Sequence, residues 1–176
     1  MRHALGLFIC ALLMFLGSSA EVRAEQTIAV VDVRKLVEES AAGKSIQTVL
    51  KARRDILQKE ANAFEKKMRE EEQALIKSSK EGKAEDFNAK KKAFEENFVK
   101  TRQSILKRTT DLDNQRKVAL RKLQEHIGEV TADLADERKI KIVIDRELVV
   151  IVNQSLDMTD AALKALDARV TNIPLE

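Results

Sequence analysis

The chain has 176 residues, of which 35% are charged and 3% aromatic, with 32 Lys and Arg against 29 Asp and Glu for a formal net charge of +3. A single cysteine excludes an internal disulfide, and two histidines with five scattered glycines leave neither a thiolate metal cluster nor a Gly-rich phosphate loop.

The chain opens as an export signal. Met1-Arg2-His3 is positive, residues 4–17 are an apolar run, and small residues follow at Ser18, Ser19, Ala20 and Ala24. Cleavage is expected after Ala24, with Ala20 the alternative. The run is short of the roughly 20 apolar residues of a membrane span. Cys10 lies inside it and lacks the small residues that precede a lipidated cysteine, so the mature chain, 25–176, is expected to carry no thiol. Its single histidine, His126, reads as a surface or seam residue of a helix. Carboxylates are spread along helical sequence with no apolar pocket around them. No catalytic residue set emerges, and no cofactor is expected.

Residues 27–33, TIAVVDV, are β-branched and bounded by charge, which predicts a strand. From about Glu39 to Lys139 there is no proline, and Lys, Glu, Ala, Gln, Leu and Arg dominate. Residues 78–86, SSKEGKAED, interrupt this stretch with a polar turn. The first arm places Ile46, Leu50, Leu57, Ala61, Phe64, Met68 and Leu75 at mixed steps of three, four and seven. The second places Phe87, Phe94, Phe98, Ile105, Leu112 and Ala119 at steps of seven and four. This is a coiled-coil period, and it predicts an antiparallel helical hairpin over 40–138. Arg53, Glu60, Thr101, Arg108 and Gln115 stand where further apolar residues of the heptad would fall. The seam is therefore expected to be thin and the tip to be the most mobile part.

Residues 139–154, KIKIVIDRELVVIVNQ, are apolar and β-branched. They predict a β-hairpin, with Ile140, Ile142 and Ile144 on one strand, a turn at 145–147, and a return strand at 148–152 that is apolar on both faces. Such a strand is normally covered on both sides. Three strands and one short helix cannot do that, and exposed edges invite pairing. Symmetric association into a small barrel is the more economical solution; a three-stranded sheet covered by the base of its own arms is the alternative. Ile28, Val30, Ile142, Ile144, Val149 and Ile151 are the expected association residues. Asp157 is the expected N-cap of a last helix, which Pro174 ends. The fold class is α+β, mainly α: a coiled-coil hairpin arm on a β-rich body made of 25–39 and 139–176.

Charge is unevenly distributed. Residues 40–62 and 100–122, which face each other if the turn is near Gly82, hold thirteen basic and four acidic residues, net +9. Residues 63–99 are net zero, 123–176 net −5 and 25–39 net −2. The upper shaft is thus a basic band, and its field favours anionic partners. Arg53, Arg54, Lys107, Arg108, Arg116 and Lys117 are candidates for electrostatic capture, the alternative being a solvated helix face. Phe64, Met68, Phe87, Phe94 and Phe98 gather toward the tip; they read first as seam residues, with Phe94 and Phe98 the candidates for apolar contact with a partner.

The order of these elements resembles the periplasmic chaperones of the Skp/OmpH type. IAVVDVRKLVEES (28–40) is similar to the family's opening strand and helix, and KIKIVIDRELVVIVNQSLDMTDAALKALDARV (139–170) to its closing strands and last helix. The resemblance implies a homotrimer in which a β-barrel body carries three helical arms around a cavity. It implies binding of unfolded outer-membrane proteins in the periplasm, without nucleotide, so that they do not aggregate. Some members are proposed to bind lipopolysaccharide through basic residues, and an anionic membrane surface is a further partner of that kind; those positions do not match one by one here. The rival readings are a structural coiled-coil envelope protein and a nonspecific nucleic-acid binder. Export and the lack of stacking aromatics argue against specific nucleic-acid recognition.

Overall fold

The computed structural model describes residues 27–80 and 84–176. The expected signal and both cleavage positions, as well as the centre of the tip at Gly82, lie outside the described residues. Strand β1 (Ile28–Val31) is followed by helix α1 (Val33–Glu39) and two long helices, α2 (Ala41–Lys80) and α3 (Ala84–Glu137). Strand β2 (Ile142–Asp145), two single-turn 3-10 segments at Arg146–Leu148 and Gln154–Leu156, and helix α4 (Thr159–Arg169) complete the chain. At 1.5 Å per residue, α2 and α3 are about 60 and 80 Å long.

The helical region starts earlier than its composition suggests, and it starts with a break. Asp32 caps α1, its carboxylate accepting from the Lys35 amide at 2.8 Å. Ser40, fully buried, leaves helical geometry at ψ 153° and accepts from the Gly43 amide at 3.1 Å, so one residue closes α1 and opens α2. The turn between them is so tight that a Cβ on Gly43 would lie 1.9 Å from the Val37 carbonyl oxygen. Across the base, the Asp167 carboxylate of α4 accepts from the Ala41 amide at 2.7 Å and satisfies an open donor of α2. Lys35 Nζ on α1 donates to Asp160 on α4 at 2.8 Å. That hydrogen bond first, and then the aspartate's charge, hold the ammonium above its ordinary 10.5. The ammonium is therefore charged through the neutral range, and its charge is lost only as pH rises through the raised value.

β1 and β2 pair in parallel, Ile28 opposite Ile142 and Val31 opposite Asp145. The Val30 carbonyl, on the other edge of β1, accepts from the Met158 amide at 2.9 Å. β1 is thus central, and among the described residues nothing pairs with the outer edge of β2. This corrects the expected hairpin. The turn at 145–147 is instead a 3-10 turn, capped by Asp145 and held by Arg146 Nη1 donating to the Val149 carbonyl at 2.6 Å. That turn leads the chain away from β2 instead of back along it, so 148–152 forms no strand within one chain. Helix α4 likewise starts one residue later than expected: Met158 is the cap position, and Asp157 accepts from the Thr159 amide at 2.9 Å.

The core lies in the base. Val31, Leu36, Ile46, Leu123, Ile127, Val130, Met158 and Leu166 are buried together, joining β1, α1, the roots of α2 and α3, and α4. Helix α3 ends in a Schellman motif: Lys139 donates to the Asp136 carbonyl and Ile140 to the Ala135 carbonyl, with Lys139 at φ 58°. A lysine in that left-handed position costs on the order of 1 kcal/mol. Lys139→Gly should therefore raise stability by about 0.5–1 kcal/mol in urea unfolding. Gly43→Ala should lower it by more than about 2 kcal/mol, because the clash is with backbone that can relieve it only if α1 shifts against α2.

Candidate functional site

The two arm helices run side by side from the base, and their seam is apolar in part only. Leu50, Met68 and Leu112 are buried along it. The polar heptad positions pair with one another. Arg53 Nη1 on α2 donates to Gln115 Oε1 on α3 at 2.6 Å. Arg108 on α3 pairs with Glu60 on α2 through both guanidinium nitrogens, Nη2 to Oε1 at 3.3 Å. Thr101 donates within its own helix to Asn97 at 3.3 Å. Two cross-arm bonds at fixed positions set one register between the helices, which an apolar stripe alone specifies weakly.

This pairing divides the six candidate cations. Arg53 and Arg108 are engaged in the seam. Arg54, Lys107, Arg116 and Lys117 are exposed and form no ion pair or hydrogen bond with any described residue. The shaft therefore presents unneutralised positive charge on α2 and α3, while the base-proximal Lys122 is tied to Glu176 at 3.5 Å.

Toward the tip, the Phe64 and Phe98 rings meet across the arms with centroids 5.8 Å apart, and Phe94 and Phe98 are 6.3 Å apart along α3. Phe98 is one of the exposed large apolar residues even so. Clefts of about 440 and 360 Å³ open in this distal region, and Leu75 and Phe94 line both. A second apolar set escapes sequence reading altogether: Val49 and Ile56 on α2, and Val99 and Leu106 on α3, are all exposed. Each pair is spaced by seven, so each pair shares a face of its helix. A heptad search looks for the buried seam and assigns such residues to background; only the exposure separates the two sets.

The base carries the other candidate surface. Of the expected association residues, Val30 is buried within the chain, Ile144 and Val149 are half-buried, and Ile28, Ile142 and Ile151 are exposed. Leu148 and Val150, read from sequence as part of the apolar return strand but not named as association residues, are among the most exposed apolar residues: Leu148 is 79% exposed, Val150 93% and Ile151 88%. Nearby, a groove of about 500 Å³ runs between the sheet and α3, lined among others by Val31, Val143, Ile127, Gly128 and Thr131. The Thr131 hydroxyl is buried in the chain without a hydrogen-bond partner among the described residues. Also among the described residues, no group of three or more His, Cys, Asp or Glu is placed to hold a metal ion, and no helix is long and apolar enough to cross a membrane.

A small mixed base from which two long, partly sealed helices project defines an arm-and-base protein, with exposed apolar surface on both parts. The sequence matches the family described as outer membrane protein (OmpH-like) over residues 27–166, and the chain belongs to that family. The structure is similar to a crystal structure from Caulobacter crescentus CB15, of a protein designated a candidate outer membrane chaperone (OmpH-like). The TM-score is 0.79 and the identity 18%, with 86% of this chain and 89% of that chain covered. No curated protein matches the chain.

The seam pairs make a quantitative prediction. Arg53→Ala should cost about 1–2 kcal/mol in urea unfolding, because it removes a charge-assisted bond at a half-buried position and leaves Gln115 unpaired. Arg108→Ala should cost less than about 1 kcal/mol, since its partner Glu60 is exposed and solvated.

Proposed function

We propose that the protein is an ATP-independent holdase that binds unfolded outer-membrane proteins in the periplasm and keeps them from aggregating. The observation that carries this reading is the arm surface. Val49, Ile56, Val99 and Leu106 offer apolar contacts spread along a helical shaft, and Arg54, Lys107, Arg116 and Lys117 lie among them unneutralised. Such a surface suits a chain without fixed structure: many weak contacts, none requiring a particular shape, and a positive field that speeds encounter with an acidic client. Family membership and the likeness to the Caulobacter protein support a chaperone role. The N-terminal export signal read from the sequence supports the periplasm.

Assembly belongs to the same proposal. Among the described residues nothing pairs with the outer edge of β2, and Leu148, Val150 and Ile151 beyond it are apolar and exposed. A second copy that supplies an apolar strand would pair that edge and cover those side chains, and a closed ring of three copies removes every edge. The arms would then surround a shared space, with the basic shafts repeated around it.

In an assay that dilutes a denatured barrel protein into buffer, the mature chain should suppress turbidity at near-stoichiometric amounts; no suppression would favour a spacer. Replacing Arg54, Lys107, Arg116 and Lys117 by Gln should weaken client binding roughly tenfold at low ionic strength, and the difference should shrink in high salt. Phe94→Ala with Phe98→Ala should weaken it independently of salt while the arm stays helical by circular dichroism. Light scattering should report three copies, and Val150→Asp with Ile151→Asp should reduce that mass.

A further inference from the structure

The segment after α4, residues 170–176, is an extended strap across the roots of both arm helices. Its side chains alternate. Ile173 is 4% exposed and Leu175 7%, while Asn172, Pro174 and Glu176 face outward. The two inward residues belong to the same buried cluster as Ile46 and Leu50 of α2 and Leu112 and Ala119 of α3. The polar contacts reach both helices as well. Ser45 of α2 donates to the Asn172 side chain at 2.7 Å, Arg53 of α2 donates to the Leu175 carbonyl at 3.2 Å, and Lys122 of α3 pairs with Glu176 at 3.5 Å. Arg53 is the same guanidinium that reaches Gln115 on α3.

How the strap is held matters as much as where it lies. Among the described residues, its backbone from Thr171 onward forms no backbone–backbone hydrogen bond. Pro174 has no amide to give. Attachment rests on two apolar side chains, one bond to a carbonyl and two exposed polar contacts, so the segment can leave without breaking a ladder. It departs from the pattern of the rest of the base, where strands and helix ends are joined by main-chain bonds.

We propose that residues 170–176 act as a detachable latch, an intramolecular peptide ligand seated in a groove between the arm roots, whose docking fixes α2 against α3 and whose release lets the roots move apart. The groove reads two apolar side chains at positions i and i+2 of an extended peptide, followed by an acidic residue that meets Lys122. Arg53 is the sensor, since one side chain serves both the strap and the inter-arm bond. The latch stands on the strap geometry alone and does not depend on the chaperone reading.

The test is amide hydrogen exchange on the mature chain and on a variant lacking 171–176. Loss of the strap should speed exchange about tenfold or more in residues 45–57 and 112–123, and leave 33–39 and 159–169 unchanged. The synthetic peptide VTNIPLE, added in large excess to the shortened variant, should restore protection, and the peptide VTNSPSE should not. Unchanged exchange at the arm roots would overturn the proposal, as would uniform acceleration across the whole base or failure of VTNIPLE to restore protection. Should the shortened chain lose its helical circular dichroism, Leu175→Ser in the full chain serves in its place, with the same local acceleration expected and the same outcomes decisive.

Discussion

The parallel pairing of Ile28–Val31 with Ile142–Asp145 is the constraint from which the architecture follows. Parallel neighbours cannot be joined by a tight turn; the chain must travel out and come back to the end from which it started. Most proteins make that crossover with one helix packed on the sheet. Here it is α1 and two long helices, and α2 and α3 extend far beyond the two-stranded sheet they connect. The arm is thus an enlarged crossover, and its two roots are held together by the ladder at the base. Asp167 on the Ala41 amide, Thr159 accepting from the Asp32 amide at 2.9 Å, and the buried cluster around Leu36 and Leu166 fix the same junction.

Away from that junction the stabilising forces change in kind. The base is sealed by apolar burial, while the shaft relies on a narrow stripe with polar pairs set into it. Arg53 with Gln115 and Arg108 with Glu60 add little energy compared with the leucines they displace. Their effect is positional: a slip along the arms breaks both at once. An arm built this way keeps its register while leaving most of its circumference free of packing duties. It is on that free surface that Ile56, Val99 and Leu106 stand exposed.

What the sequence revealed and what it hid follow from the range of each interaction. The arms were legible because heptad spacing is local: residues three, four and seven apart announce a seam without knowledge of the partner. The polar interruptions were visible too, but not that Arg53 meets Gln115 and Arg108 meets Glu60, since that depends on where the turn sets the register. The closing strands were legible as apolar extended sequence and misleading as a hairpin. Alternation in 139–154 says that two faces must be covered; it does not say whether the neighbour is the next segment or β1, more than a hundred residues earlier. The break at Ser40 and the strap escaped for a related reason. Ser40 and Gly43 look like ordinary helix residues until the Val37 carbonyl is seen beside them, and Ile173 and Leu175 flank a proline that reads only as a helix stop.

The capping of Ala41 by Asp167 has a consequence for the order in which the molecule takes shape. A chain emerging from its amino end presents all of α2 and α3 before the carboxylate that completes the start of α2 exists. Contacts between the arms can form early, by closing a short turn, whereas β1 must wait for β2 and then for Met158 before both of its edges are filled. The limbs are therefore available before the hub, and until β2 has appeared the nascent molecule is a helical hairpin with its two ends untied.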